Sequence, residues 1–440
     1  MTAPTTNFAL VNNTGTSDAF AYVTGLEIDN NNAPVFIQSD GKTVYRPTSP
    51  SAPQSPLAAD VAIPLGAPGS TTTVTIPHLA GGRIWFSIGD GSGKKLTFTL
   101  NPGPAVVEPS VTNKDDPNWA LHWGFAEFTY NDAQLFVNIS YVDFVALPIA
   151  LRLRNAAGKE QVVEGIPDGG LAAVAQQLEA QHAADGAGWD QLVVRDAAGT
   201  LLRALSPNSG RVADAGLFAD YYAPYVDAVW AKYAGEDLKI NTQFDWGVLS
   251  GRVTSDGALL TFEGQGSFAK PSAGDIFSCS TGPFGGYPKD KADVLGNLGA
   301  RIAAALNRST LLANASQPDG ERVADYYKEA VTNHYARILH AVNSDGRGYA
   351  FPYDDVVASG DDQPDQAGTV FDGAPELLTV TLGSLQAAGT GGGDSESGGG
   401  DKKKEEGGDG DATTPDKKTG FWKGALGFLN KATGGCFGRS

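Results

Sequence analysis

Two acidic residues, Glu127 and Asp143, stand inside otherwise apolar runs, at 119–131 and 135–145. A carboxylate placed there loses hydration unless a cleft or a partner compensates, and the same loss fits a carboxyl for general acid or base work. Trp119, Trp123 and Tyr141 lie close by in the chain and offer flat apolar faces on which sugar rings can stack. From composition alone the plainer account is that Glu127 faces solvent from a strand and Asp143 ends one.

Other chemistries are poorly furnished. His78, His122, His182, His334 and His340 are scattered without metal-ligand spacing, and His334 and His340, six apart, fall on different faces of a helix. No Gly-x-Ser-x-Gly elbow is present, and Gly89-Asp90-Gly91-Ser92-Gly93 sits between strands, with no helix dipole to hold phosphate. Neither a metal nor an organic cofactor is expected. The 32 basic residues against 50 acidic ones give a net charge of −18, which repels phosphate backbones and anionic lipid, so nucleic acid is not an expected partner. Two cysteines, Cys279 and Cys436, cannot make a disulfide framework.

The elements that must position Glu127 and Asp143 read as short strands. In 440 residues, 41% apolar and 19% charged, 56 Gly and 25 Pro predict many turns, and either two to three domains or one large β domain with an insertion. Strands are expected at 8–11, 19–23, 33–37, 71–76 and 83–88, the last turning at the 89–93 glycines into a hairpin with 95–100. Such a series makes a sandwich or a barrel. Asp168 is placed to cap a helix over 169–184 carrying Leu171, Val174, Ala175 and Leu178, followed by a strand at 192–194. A helix over 212–233 should kink or split at Pro224. Strands at 244–262, helices over 292–306 and 322–342, and a closing strand at 377–382 complete the series.

The expected organisation is a β domain over 6–150, an α/β insertion over 151–243, a return to the β domain over 244–385, a linker over 386–420 disordered by composition, and an amphipathic tail over 421–440. Phe421, Trp422, Leu426, Phe428 and Leu429, with Cys436, give that tail a weak capacity for membrane contact. No stretch reaches the roughly 18 apolar residues of a membrane span, and Met1 to Thr6 carry no visible signal peptide. A monomer is expected.

Ala126-Glu127-Phe128-Thr129 followed by Asn138-Ile139-Ser140-Tyr141-Val142-Asp143 resembles the paired signature of thaumatin-like proteins, Ala-Glu-Phe-Thr and then Asp-Val-Ser-x-Val-Asp. Phe8-Ala9-Leu10-Val11-Asn12-Asn13, Gly82-Arg83-Ile84-Trp85 and Gly348-Tyr349-Ala350-Phe351-Pro352-Tyr353-Asp354-Asp355 extend the resemblance in the right order. With only two cysteines and an α/β insertion, and with Tyr141-Val142-Asp143-Phe144-Val145-Ala146-Leu147-Pro148, the chain is more similar to the β-1,3-glucanases of glycoside hydrolase family 64. The resemblance spans 6–385. It implies a mainly β fold, a thaumatin-like sandwich or barrel with a mixed α/β domain, the two walling a wide groove. It implies endo-hydrolysis of linear β-1,3-glucan with inversion, releasing short oligosaccharides, and an extracellular or cell-wall setting. Glu127 matches the general acid and Asp143 the general base, with Thr129 and Asn131 as sugar contacts. Asn138 replaces an aspartate of the thaumatin-like cleft, and Ser87 stands where that group often has an arginine. A non-catalytic glucan-binding protein is the alternative.

The implied roles set a geometric condition. A straight hairpin turning near Asp132 puts Glu127 opposite Asn138 and leaves Asp143 roughly 16 Å farther along the strand. Inversion needs carboxyls about 6.5–9.5 Å apart, with room for a water. A bulge, a strong bend or a longer connection must therefore bring Asp143 back.

Overall fold

Along His122–Tyr130, Trp123, Phe125, Glu127 and Thr129 point to one side of the strand, and Gly124, Ala126, Phe128 and Tyr130 to the other. In the computed structural model, which describes residues 1–89, 91–360 and 366–387, this strand lies inside an eight-stranded sheet. Its order is Thr369–Asp372, Leu135–Ile139, His122–Tyr130, Leu79–Ile88, Ala19–Glu27, Ala33–Ile37 and Val44–Tyr45, with Ile63–Pro64 also on Ala19–Glu27. A five-stranded sheet runs Glu160–Val163, Ile149–Asn155, Pro375–Leu382, Thr5–Asn12 and Thr71–Pro77. The final strand lies parallel to the first, Phe8 beside Leu378.

The Phe128 face meets the five-stranded sheet. Phe128 stands edge-on to Phe8 with ring centroids 5.2 Å apart, and Leu10, Val137, Ile139, Leu151 and Val380 are buried around them. Gly82 leaves room for this contact, since a Cβ there would sit 2.5 Å from the tip of the Phe128 ring. Gly82→Ala is therefore expected to lower the melting temperature by several degrees, an overpacking cost of about 1–3 kcal/mol; an unchanged thermal transition would show that the ring can step aside. The architecture is mainly β, and among the described residues neither sheet closes into a barrel.

The hairpin expected across the 89–93 glycines does not form. Both edges of Leu79–Ile88 are already taken, by Ala19–Glu27 and His122–Tyr130. The chain after the turn instead pairs Thr99–Asn101 with Ala105–Val107 and Ser55–Pro56. Phe98 anchors it on the outer face of the large sheet, 5.7 Å from Trp85 and 5.5 Å from Tyr22.

Beyond the sheets, helix Gly170–Asp185 buries Leu171, Val174, Ala175 and Leu178 at the expected spacing. Asp168 does not cap it: its Oδ1 accepts instead from the Ser384 amide at 2.7 Å. The helix expected over 212–233 is two, Pro207–Ala213 and Ala223–Gly235, with Pro224 in the first turn of the second, where its missing N–H costs nothing. Ala292–Arg308 is helical. The helix expected over 322–342 forms only as His334–Val342, because Asn333 Oδ1 accepts from the Ala336 amide and starts it there.

Residue 150 falls inside strand Ile149–Asn155, so the first β region extends past that boundary. Leu238–Asn241, Val248–Val253, Leu259–Phe262, Gly266–Ala269 and Ser316–Gln317 make a separate five-stranded sheet, and among the described residues of this part Thr369–Asp372 and Pro375–Leu382 are the strands that rejoin the two large sheets. Residues 1–387 form one compact unit. Nearly all of the expected linker, and the tail with Phe421, Trp422, Leu426, Phe428, Leu429 and Cys436, lie outside the described residues.

A buried ion cluster locks the Gly348–Asp355 segment to the helices. Arg308 Nη2 lies 3.2 Å from Asp354 Oδ1, and His340 Nε2 lies 3.1 Å from Asp354 Oδ2, with Arg308 and Asp354 at 1% and 0% exposure. Burial pushes the Asp354 carboxyl up, but His340 and Arg308 outweigh it and hold the group below its ordinary value. A depressed carboxyl adds stability above its unfolded-state pKa, and that stability is lost as pH falls through the folded value. Asp354→Asn should thus cost about 3–5 kcal/mol at neutral pH by breaking the buried pair with Arg308. The gap in melting temperature from the parent should narrow as pH drops below about 4; a gap independent of pH would assign the loss to packing.

Candidate active site

The strand register sets three polar groups in one row across the outer face of the large sheet. Glu127 lies opposite Asn138 on one side and opposite Arg83 on the other. Arg83 Nε donates to Glu127 Oε1 at 3.2 Å, and its Nη1 donates to Glu108 Oε2 at 2.5 Å. The guanidinium rests on aromatic faces, 4.8 Å from the Phe125 centroid and 5.4 Å from that of Trp85, which fixes its plane.

Asp143 reaches this row through a bend. The hairpin register is the one a straight pairing demands, Glu127 against Asn138, with no extra residue between the two strands. Pairing ends at Ile139, after which Tyr141 N donates to Tyr349 O at 2.8 Å and Tyr349 N to Ile139 O at 3.0 Å. The chain then turns at Val142 and Asp143, and Phe144–Val145 pairs with Leu205 and Ala204. The Asp143 carbonyl accepts from the Ser206 amide at 2.9 Å. Pinned on both sides, the bend returns the Asp143 carboxyl to the charge field of Arg83 and Glu127.

Burial pushes the Asp143 carboxyl up, the Glu127 charge adds to this, and Arg83 opposes it. Burial likewise raises Glu108 against the pull of Arg83. These groups are ringed by protein on most sides, yet Arg83, Glu108 and Glu127 keep 22%, 31% and 33% of their side chains exposed. Partly enclosed and partly open, the cluster stays within reach of a ligand from solvent. The arrangement suits chemistry that needs one protonated and one ionised carboxyl side by side.

Residues 4–382 match the family model of glycoside hydrolase family 64, described as β-1,3-glucanase. The chain belongs to that family. It is 32% identical over 328 residues to a glucan endo-1,3-beta-glucosidase of Cellulosimicrobium cellulans and 31% identical over 328 residues to one of Arthrobacter sp. (strain YCWD3). Each match takes in 71% of this chain and 54% of the relative, so the chain spans about half the length of these curated relatives. Among solved structures, a laminaripentaose-producing β-1,3-glucanase in complex with laminaritetraose is 33% identical, with a TM-score of 0.74 over 87% of this chain and 100% of that one. A family 64 domain from Clostridium beijerinckii, 20% identical with a TM-score of 0.64 over 86% of this chain and 98% of that one, shares the fold.

Within the family 64 chain the remaining expected site residues divide. Thr129, half-buried, lies two positions from Glu127 on the same face and opposite Phe136. Asn131 sits at the hairpin turn, where its Oδ1 accepts from the amides of Ala133 and Gln134 at 2.9 and 3.0 Å, so that oxygen is already spent on the turn. Trp123 and Tyr141 cannot act as sugar platforms. Trp123, 1% exposed, is packed 4.7 Å from Phe144 and 5.7 Å from Trp85. Tyr141, 2% exposed, accepts from the Ile166 amide through its hydroxyl. Their faces go into the packing that supports the site. Trp119 is half-buried, with the Arg203 guanidinium 5.2 Å from its ring.

Two charged members of the cluster, Arg83 and Glu108, escaped the sequence reading as site residues. Arg83 carried a signal, since it stands four positions before Ser87 in the recognisable Gly82-Arg83-Ile84-Trp85 strand. Glu108 carried none: it follows a three-residue strand, Ala105–Val107, and its approach to Arg83 depends on where that strand docks. Phe136 and Phe371, half-buried, also stack on this face, 6.5 Å apart at 24°.

Proposed function

We propose that this chain is an endo-β-1,3-glucanase that hydrolyses linear β-1,3-glucan with inversion and releases short oligosaccharides. What supports this most directly is the pair Glu127 and Asp143, both within the charge field of Arg83 at a solvent-reaching site of a family 64 chain. Glu127, protonated, donates to the glycosidic oxygen as the bond breaks, and Asp143, ionised, takes a proton from the water that attacks the anomeric carbon from the other side. Thr129 and the unpartnered Asn138 Oδ1 offer polar contacts beside the acid. The large two-sheet region is read as thaumatin-like and as one wall of the groove that receives the glucan. The reaction written this way needs no cofactor.

Release of reducing ends from insoluble linear β-1,3-glucan tests the reading. Soluble short oligosaccharides should accumulate while the polymer shortens. Retention of the protein on the glucan without any release would make it a binding protein instead.

A further inference from the structure

Arg83 is one cation facing three carboxyls. Glu127 comes from the His122–Tyr130 strand, Asp143 from the bend, and Glu108 from the segment after Ala105–Val107. With all three ionised the cluster carries a net charge of −2, so a proton resides in it more readily than in a neutral pair. A purely structural arginine would be neutralised once. The third carboxyl overcompensates, at a cost in repulsion that Arg83 alone does not offset, and it is held on a firm support. Ala105–Val107 is paired with Thr99–Asn101. The following turn is tied by Ser110 N to Asp116 Oδ2 at 3.1 Å, and Asn118 exchanges two hydrogen bonds with the Thr97 backbone at 2.7 and 2.9 Å.

We propose that Glu108 is a positioning residue of the glucanase reaction, holding the Nη1 end of Arg83 and sharing its charge, so that the guanidinium meets Glu127 through one N–H and is not wholly committed to it. The inference rests on the assignment of Glu127 as acid and Asp143 as base. The geometry states the division plainly: the Glu108 contact is the short one at 2.5 Å, and the Glu127 contact is single and longer at 3.2 Å. The side-on fork of an arginine is Nε with Nη2, as Arg46 shows on Glu27, and Glu127 meets only the Nε prong of Arg83. By pairing with Nη1, Glu108 takes a share of the Arg83 charge, so Glu127 is oriented by the cation without being the sole carboxylate that neutralises it. Glu108 also adds negative charge near Asp143, which keeps a proton within the cluster between turnovers.

The test is the pH profile of glucan hydrolysis by Glu108→Gln, which removes the charge at constant volume. Freed from Glu108, Arg83 acts in full on Glu127 and Asp143, so both limbs of the kcat/KM profile should move to lower pH, by about half a unit to one unit. At neutral pH kcat should fall roughly tenfold with KM little changed. A role in folding alone would lower the curve without moving its limbs, and limbs unmoved in a variant with a normal thermal transition overturn the proposal. Should Glu108→Gln not fold, Glu108→Ser removes the same charge without setting an amide against the guanidinium, and the same shift is required of it. Failure of the underlying reading looks different: Glu127→Gln or Asp143→Asn would then stay active. Inactivity of those two with unmoved limbs in Glu108→Gln sinks the Glu108 role alone.

Discussion

Glu127→Gln is expected to lower turnover on linear β-1,3-glucan by roughly a hundredfold or more while leaving glucan binding in place. Gln keeps the volume and an acceptor for Arg83 Nε, so the 3.2 Å contact can persist, but it has no proton to give the leaving oxygen. Protonation is the step that most needs help, because a sugar alkoxide is a poor leaving group. The effect should therefore appear in kcat and not in KM. Pull-down on insoluble glucan and a thermal melt read the two controls: a variant that no longer binds, or that melts early, has lost more than the acid. Full activity would move the acid elsewhere on the face, and Glu108, the other carboxyl on Arg83, would be the group to examine.

How far the site could be read from sequence follows from the range of the interactions involved. Glu127 opposite Asn138 is a local consequence of a hairpin turning at Asp132, and the register bears it out. That Asp143 must fold back was also legible, as a conflict between strand rise and the carboxyl separation that inversion requires. The device that folds it back was not. It depends on Tyr349, more than two hundred residues downstream, pairing with Ile139 and Tyr141, and on the amide of Ser206 catching the Asp143 carbonyl. Non-local pairings of this kind leave no periodic trace.

The same contrast runs through the fold. The Leu171, Val174, Ala175 and Leu178 stripe is a property of its own segment and gave the right helix, whereas over 212–233 only the part from Ala223 is a helix of any length, with Pro224 at its start and the preceding helix ending at Ala213. The hairpin after Ile88 failed because competition decided it: Leu79–Ile88 had two long partners elsewhere, and the 95–100 segment was displaced onto the sheet face through Phe98. Trp123 and Tyr141 failed as platforms for a related reason. An aromatic side chain beside a carboxyl in sequence can serve a ligand or the core, and only the placement of Phe144 and Ile166 decides between them.

Asp143→Asn should likewise cost about a hundredfold or more, and its partner measurement, the anomeric form of the first product, reaches the mechanism itself. If Asp143 activates a water, attack comes from the face opposite the leaving group, so cleavage of a β-linkage first yields the α-anomer. Proton NMR in the first minutes of hydrolysis would show α before mutarotation mixes the forms; initial β would mean a covalent glycosyl-enzyme and would remove the base role. The pH dependence adds an independent mark. A base works only when ionised, and burial together with the Glu127 charge holds the Asp143 carboxyl above its usual range. The acid limb of kcat/KM is then expected above about 3.9, the value of an ordinary aspartate. Asp143→Asn should abolish that limb along with most of the activity, whereas a limb that survives in the residual activity would belong to another group.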